Sequence, residues 1–73
     1  MEASTESKTR GEKMYDFIQA AWLRGQTCYL STALRVTKIA PKHAAQVRVR
    51  RGCLEIQRGK RWLDYSLTHL RCE

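Results

Sequence analysis

The stretch KHAAQVRVRRG, residues 42–52, decides between two folds for this chain. Its first half is alanine-rich and typical of a helix, whereas the segment VRVR, residues 47–50, alternates apolar and charged residues as a half-buried strand does. Pro41 suits a first helical turn and Gly52 suits a helix end, so we predict a helix over residues 41–51. A strand that shows its arginines to solvent is the alternative.

The two forms would display different surfaces. In a helix, Gln46, Val49 and Arg50 share one face, at spacings of three and four residues. In a strand, Gln46, Arg48 and Arg50 share a face and Val49 turns inward. The protein would then bind its partner through a sheet instead of a helix.

The net charge of +7 is concentrated in one part of the 73-residue chain. Residues 1–34 sum to 0 and residues 62–73 to −1, whereas residues 35–61 sum to +8, with Glu55 as their single acid. Such a focused basic field attracts a polyanion: DNA, RNA or an anionic membrane surface. No run reaches the roughly 20 apolar residues of a membrane span, so we expect a nucleic-acid partner and no membrane.

The N-terminal residues are predicted to be neither a secretory signal nor part of the folded domain. Residues 1–8 are small, polar and charged, as in a disordered tail, and lack the apolar core of a secretory signal. We therefore expect a single domain over residues 9–73 and a cytoplasmic protein, associated with the nucleoid in a bacterium or nuclear in a eukaryotic cell.

The three cysteines, Cys28, Cys53 and Cys72, are widely spaced and odd in number, which argues against a disulfide framework. A zinc site needs close ligand pairs, and His69 with Cys72 provides only one. We expect reduced, mostly buried thiols, no metal and no cofactor.

The domain opens with a predicted helix over residues 10–24. Thr9 and Glu12 form a capping-box pattern, and Gly25 supplies the helix end. Between them an apolar stripe recurs at helical spacing, formed by Met14, Phe17, Ile18, Ala21 and Trp22. The segment QTCYL, residues 26–30, then favours a brief strand. Ser31 would cap a short second helix with the sequence TALRVT.

The last third of the domain predicts a β-hairpin. Gly59-Lys60 forms a two-residue loop with glycine first, the pattern of a type II′ turn. This register places apolar pairs together on one face, which a wrong register would mix with polar residues. The facing pairs are Arg58–Arg61, Gln57–Trp62, Ile56–Leu63, Glu55–Asp64 and Leu54–Tyr65. The acidic pair among them is mildly unfavourable.

The predicted order of helix, short strand, short helix, helix and hairpin resembles the winged helix-turn-helix fold. STALRVTKIAPKHAAQV, residues 31–47, resembles its two-helix unit, with Ile39 as the apolar turn residue and Pro41 opening the second helix. Gly52 resembles the glycine that leads into the wing, although Thr37-Lys38 stands where the turn usually has glycine. The resemblance implies an α+β fold of three helices plus a C-terminal β-hairpin wing, and DNA binding by helix insertion into the major groove.

The predicted DNA contacts divide into two groups. The residues expected to read base edges from helix 41–51 are Lys42, His43, Gln46, Val49 and Arg50. The residues expected to contact phosphates, or the minor groove from the wing tip at 58–61, are Arg35, Lys38, Arg48, Arg51, Arg58, Gly59, Lys60 and Arg61. Affinity should then fall steeply as salt rises.

No residue pattern predicts catalysis. Glu12 and Asp16 lie at a helix start, where acids stabilise the helix dipole, and neither histidine stands in a catalytic motif. We therefore expect a sequence-specific double-stranded DNA-binding protein that regulates transcription, similar to small regulators of phages and plasmids. It would act as a homodimer or cooperatively on adjacent sites. The alternatives are an excisionase-like architectural factor that bends DNA, and a protein-interaction module or inhibitor that binds an acidic partner.

Overall fold

A computed structural model describes residues 8–73 of the chain. These residues form an α+β fold whose elements are α1 Arg10–Leu23, β1 Cys28–Ser31, β2 Val36–Ile39, a 3-10 helix Pro41–Gln46, β3 Val47–Arg50, β4 Cys53–Arg58, β5 Arg61–Asp64 and β6 His69–Cys72. The strands form two antiparallel sheets, sheet A in the order β2-β1-β6 and sheet B in the order β3-β4-β5. The predicted winged helix-turn-helix, with three helices and a hairpin wing, is wrong because strands replace its second and third helices.

Helix α1 begins where the sequence predicts. The Thr9 hydroxyl accepts a hydrogen bond from the Glu12 N–H at 3.2 Å, and the Glu12 carboxylate accepts one from the Thr9 N–H at 2.8 Å. This reciprocal pair is a complete capping box. The Thr9 hydroxyl also donates to the Gly52 carbonyl, which fastens the helix start to the turn between β3 and β4. The predicted tail, residues 1–8, lies outside the described residues except for Lys8.

Residues 47–50 form strand β3, so the predicted helix over residues 41–51 is wrong and the strand alternative is confirmed. The turn after the strand gives the reason. Arg51 and Gly52 have φ angles of 54° and 78°, as the two central residues of a type I′ hairpin turn require. Gly52 therefore reverses the chain instead of ending a helix. Pro41 does open a helical turn, but the 3-10 helix Pro41–Gln46 stops before the valines.

Sheet B continues the hairpin that the sequence predicts. The register around Gly59-Lys60 is confirmed, and Gly59 has the positive φ, 65°, that the first position of a type II′ turn needs. On the other side of β4, strand β3 adds the pairs Val47–Ile56, Arg48–Glu55, Val49–Leu54 and Arg50–Cys53. Arg48 thus lies beside Glu55, so the acidic couple of the hairpin has a cation as its neighbour in the sheet.

A second hairpin, β1–β2, replaces the short helix expected after Ser31. The Thr32 hydroxyl accepts hydrogen bonds from the N–H groups of Leu34 and Arg35, both at 3.2 Å, and this holds a tight turn. Val36, Thr37, Lys38 and Ile39 then alternate between solvent and core as a strand does. Six residues gain little as an isolated helix because the first turn is costly to nucleate.

The core lies between α1 and the inner faces of the two sheets. Its buried apolar residues are Met14, Ile18, Ala21, Cys28, Leu30, Ile39, Val47, Leu54, Ile56 and Tyr65. Phe17 of the predicted apolar stripe is 52% exposed. Two of the three cysteines are not thiols: Cys28 and Cys72 face each other across β1 and β6 and form a disulfide. No helix in residues 8–73 is long and apolar enough to cross a membrane.

Candidate nucleic-acid interface

Most cations of the basic block, residues 35–61, are left without an acidic partner within residues 8–73. The ion pairs in this described part of the chain are Lys8–Asp16, Arg48–Glu55 and Arg71–Glu73. Arg48 is therefore the one member of the block that is neutralised there. All other Lys and Arg residues of the block are exposed to solvent. Their positive charge is available to a ligand because no acidic side chain within residues 8–73 forms an ion pair with them.

Two of these cations, Lys38 and Arg58, line one open cleft of about 260 Å³, which we call the basic cleft. It lies between the edge of sheet A, the 3-10 helix and the far end of β4. Its lining consists of Thr37, Lys38, Ile39, His43, Gln46, Ile56, Gln57, Arg58 and Gly59. None of these residues is acidic, so the cleft combines cations and neutral hydrogen-bonding groups. Such a lining suits an anion.

The main chain adds donors to the basic cleft. The β1–β2 hairpin closes with a hydrogen bond from the Thr32 N–H to the Arg35 carbonyl at 2.8 Å. Paired residues alternate along an antiparallel ladder, so Lys38 directs its N–H and C=O away from β1 and toward the cleft. Strand β3 starts opposite Ile56, so the main chain of Gln57 extends past it toward the same space. Backbone N–H groups of this kind are common phosphate contacts.

His43 is held in place by the 3-10 helix. Its Nδ1 accepts a hydrogen bond from the Ala40 N–H at 3.0 Å, which caps the first turn of that helix. Nδ1 therefore carries no proton in this arrangement, and Nε2 is the ring nitrogen that can donate to a ligand. The His43 ring thus caps the 3-10 helix and lines the cleft at the same time, so the fold of this helix fixes the position of the ring in the cleft.

The structure gathers part of the predicted site. The predicted residues that line the basic cleft are Lys38, His43, Gln46, Arg58 and Gly59. Lys60 and Arg61 follow at the exposed β4–β5 tip, and Lys42 lies on the exposed side of the 3-10 helix. The structure thus brings Lys38 of β2 and Arg58 of β4 to one cleft, with Lys60 and Arg61 close to Arg58 along the chain.

The other predicted contacts are dispersed. Val49 lies in β3 and lines a recess with Tyr15 and Asp16 beside α1, so it is not on the helix from which base reading was predicted. Arg50 lies at the end of β3, and Arg51 lies in the type I′ turn beyond it. Arg35 belongs to the β1–β2 turn, where it lines a different groove. A helical reading face formed by Gln46, Val49 and Arg50 therefore does not exist.

Arg48 contacts both an acid and an aromatic ring. Its Nε donates to the Glu55 carboxylate at 2.8 Å, and its guanidinium lies 3.9 Å from the centroid of the Trp62 ring. A similar contact occurs on sheet A, where the Arg71 guanidinium lies 5.4 Å from the centroid of the Tyr29 ring. In each case an arginine covers one side of an aromatic ring that could otherwise stack on a base.

Gln57 is the polar residue that sequence reasoning missed. It lines the basic cleft beside Arg58, and the predicted hairpin register already placed it opposite Trp62 on the outer face. The predicted hairpin register therefore contained the signal for Gln57, whereas the predicted base-reading residues all came from helix 41–51. The contact between Tyr29 and Arg71 was also missed, because only the pairing of β1 with β6 brings them together.

The chain matches no protein-family model, no curated protein and no solved structure. Residues 8–73 contain no group of three or more His, Cys, Asp or Glu side chains placed to hold a metal ion. The expectations that the protein is not an enzyme and binds no cofactor stay predictions.

Proposed function

We propose that this protein binds double-stranded DNA through the basic cleft and the β4–β5 tip, mainly by contacts with the phosphate backbone. The observation that carries the proposal is the basic cleft itself. Lys38 and Arg58 flank a lining that holds no carboxylate, and neither is in an ion pair within residues 8–73. Cations left exposed and unneutralised can release counterions from DNA, which is the main source of non-specific affinity.

A duplex fits this surface better than a single strand. Proteins bind single strands by stacking bases on open aromatic rings. Here Arg48 covers Trp62 and Arg71 covers Tyr29, so neither ring offers two open faces. The tip of the β4–β5 hairpin projects beyond the end of β3 as a basic two-stranded turn, and the major groove of B-DNA admits an element of that width.

A second, more specific part of the proposal is that the protein reads the DNA sequence. The side chains suited to base edges near the basic cleft are Gln46 and Gln57, since glutamine can form two hydrogen bonds with adenine. They lie among phosphate-binding cations, so the protein would be positioned by the backbone and biased by the glutamines. A regulator of transcription fits this balance, and so does a factor that bends DNA.

The proposal places the protein with the DNA, in the cytoplasm of a bacterial cell or the nucleus of a eukaryotic one. Thiols are kept reduced in these compartments, where structural disulfides are rare. The domain must then fold with Cys28 and Cys72 as thiols. Cys28 is fully buried in the core and Cys72 packs against it, so both side chains fit the interior.

The proposal is tested by fluorescence anisotropy with a labelled DNA duplex over a range of salt concentrations. The decisive variant combines Lys38→Gln with Arg58→Gln. Each phosphate contact contributes about 0.9 to the slope of log affinity against log salt, so this variant should flatten the slope by about 2. The matched control combines Lys13→Gln with Arg24→Gln, which removes the same charge from exposed positions at α1. It should leave the slope nearly unchanged.

Two results would contradict the proposal. Equal losses in both double variants would mean that affinity follows overall charge and not the basic cleft. Tighter binding to poly-glutamate than to duplex DNA would favour an acidic protein partner. Single-stranded DNA and duplex RNA of the same length complete the set, and the proposal expects the DNA duplex to bind most tightly.

A further inference from the structure

Within residues 8–73, strand β5 has a free edge, because it lies at the border of sheet B and pairs with β4 alone. The two-residue loop at Gly59-Lys60 makes Arg58–Arg61 a hydrogen-bonded pair, and such pairs recur at every second residue, so Leu63 also bonds to β4. The N–H and C=O groups of Trp62 and Asp64 then point away from β4. They form a row of donors and acceptors that another strand can bind.

An apolar groove of about 350 Å³, the leucine groove, runs beside this edge. It lies between the β1–β2 turn and the segment that follows β5, and Leu34, Leu63 and Tyr65 form its apolar part. Leu34 is 94% exposed, Leu63 is 41% exposed, and Leu67 in the same following segment is 90% exposed. Exposed apolar residues gathered beside a free strand edge indicate a surface that is covered by a partner.

The free edge of β5 is complementary to a second copy of itself. Trp62 and Asp64 each present one N–H and one C=O outward, so about a two-fold axis at the intervening Leu63 the main chain of Trp62 meets that of Asp64, and the reverse contact follows by symmetry. Two chains of net charge +7 repel each other at longer range, so the strand pairing has to outweigh that repulsion.

We propose that the protein forms a homodimer by antiparallel pairing of β5 with β5 of a second copy, about a two-fold axis at Leu63. In this register the main chain of Trp62 pairs with that of Asp64 in the other copy, and both such pairs form. The two Leu63 side chains lie directly opposite each other beside the leucine groove. Every free main-chain group of the β5 edge is then satisfied, and the exposed leucine is buried.

The dimer forms without DNA and responds to salt in the opposite way to DNA binding. Salt screens the repulsion between two positively charged copies, while strand pairing and leucine burial are little affected. Dimerisation should therefore strengthen as salt rises, whereas DNA affinity falls. Failure of one proposal leaves the other standing.

The test uses disulfide trapping in the full chain with Cys53→Ser as background, because Cys53 is the cysteine left outside the Cys28–Cys72 bond. Leu63→Cys places two thiols at a directly facing, non-hydrogen-bonded pair, where the chains approach closely enough for a disulfide. Mild oxidation should convert this variant to a covalent dimer. Arg61→Cys would face Tyr65 of the other copy, so it should trap far less. Leu23→Cys, which is 89% exposed on α1, sets the level of random collision.

Sedimentation equilibrium of the unmodified protein gives the second measurement. A dimer is expected whose dissociation constant rises at least about tenfold in Leu63→Lys, since the substitution sets two like charges face to face at the axis. Leu23→Lys should leave that constant unchanged. A monomer at every concentration and salt would overturn the proposal, and so would trapping of Leu63→Cys no better than Leu23→Cys.

Discussion

Cys28 and Cys72 lie directly opposite each other on β1 and β6, and a disulfide joins their sulfur atoms. The flanking residues Thr27 and Glu73 exchange two main-chain hydrogen bonds, at 2.9 and 2.8 Å. The cysteines therefore occupy a non-hydrogen-bonded pair, in which facing side chains are closest. The bond fastens the last strand to the centre of sheet A.

Reduction of this bond should lower stability without abolishing the fold. The two cysteines are 44 residues apart, and closing a loop of that length contributes about 4 kcal/mol through the unfolded state. Urea unfolding with and without reductant should show that loss as a lower midpoint, with a single cooperative transition retained. Cys53→Ser should respond to reductant as the unmodified chain does. A midpoint indifferent to reductant would show that the bond does not form in solution.

Local signals in the sequence predicted the parts of the fold that local chemistry controls. The capping box of Thr9 and Glu12 and the loop at Gly59-Lys60 each act within a few residues, and both are confirmed. The disulfide could not be predicted in this way. Cys28 and Cys72 meet only because sheet A brings the last strand back beside β1.

The pairing register of the sequence also indicates a strand at residues 47–50. A loop at Arg51-Gly52 sets Val49 opposite Leu54 and Arg48 opposite Glu55, with apolar and opposite-charge pairs in register. A glycine can end a helix or occupy a left-handed turn position, and its neighbours do not distinguish these uses. The pairing register does distinguish them. The basic cleft was less predictable, since it needs the edge of sheet A beside the end of β4.

Gly11→Ala should destabilise the protein, although helix propensity alone predicts the opposite. An added Cβ at Gly11 would lie 2.4 Å from the Leu54 nitrogen and 2.5 Å from the Gly52 carbonyl oxygen, both of them main-chain atoms. We expect a loss of about 2–3 kcal/mol in the free energy of unfolding, because the helix must move off the β3–β4 turn. Propensity would give a gain of up to about 1 kcal/mol.

Gly25→Ala is the control for that substitution. Gly25 has a φ of 80° and nothing within 4 Å of an added Cβ, so backbone strain is the main cost. The loss should be about 1 kcal/mol, measured by the same urea titration. If Gly11→Ala proved as stable as the unmodified chain, the close approach of α1 to the β3–β4 turn would be wrong.

Asp64 should make stability fall at acid pH. The Ser66 N–H donates to the Asp64 carboxylate at 2.8 Å, and this hydrogen bond holds the pKa of Asp64 below its ordinary value. A lowered pKa in the folded state favours the ionised form, so the contribution is complete above the unfolded pKa and is lost as pH falls through the folded one. The loss should appear below about pH 4.

Asp64→Asn isolates this effect because the amide oxygen can still accept from the Ser66 N–H. Urea midpoints measured from neutral to acid pH should fall less steeply for the variant than for the unmodified chain. Equal slopes would show that other carboxylates account for the acid sensitivity. The comparison should be made at one salt concentration, since exposed charges are screened.

Glu55→Gln should increase affinity for duplex DNA. Glu55 is the single acid of the basic block and accepts from Arg48 at 2.8 Å, so its neutralisation frees a cation on the outer face of sheet B. If Arg48 reaches a phosphate, the slope of log affinity against log salt should steepen by about 0.9. Anisotropy titrations like those for the basic-cleft variants give this slope.

Asp16→Asn is the matched control, because it releases Lys8 from its ion pair beside α1. A similar gain in both variants would mean that DNA responds to net charge alone. A gain confined to Glu55→Gln would extend the DNA-binding surface from the basic cleft across the outer face of sheet B.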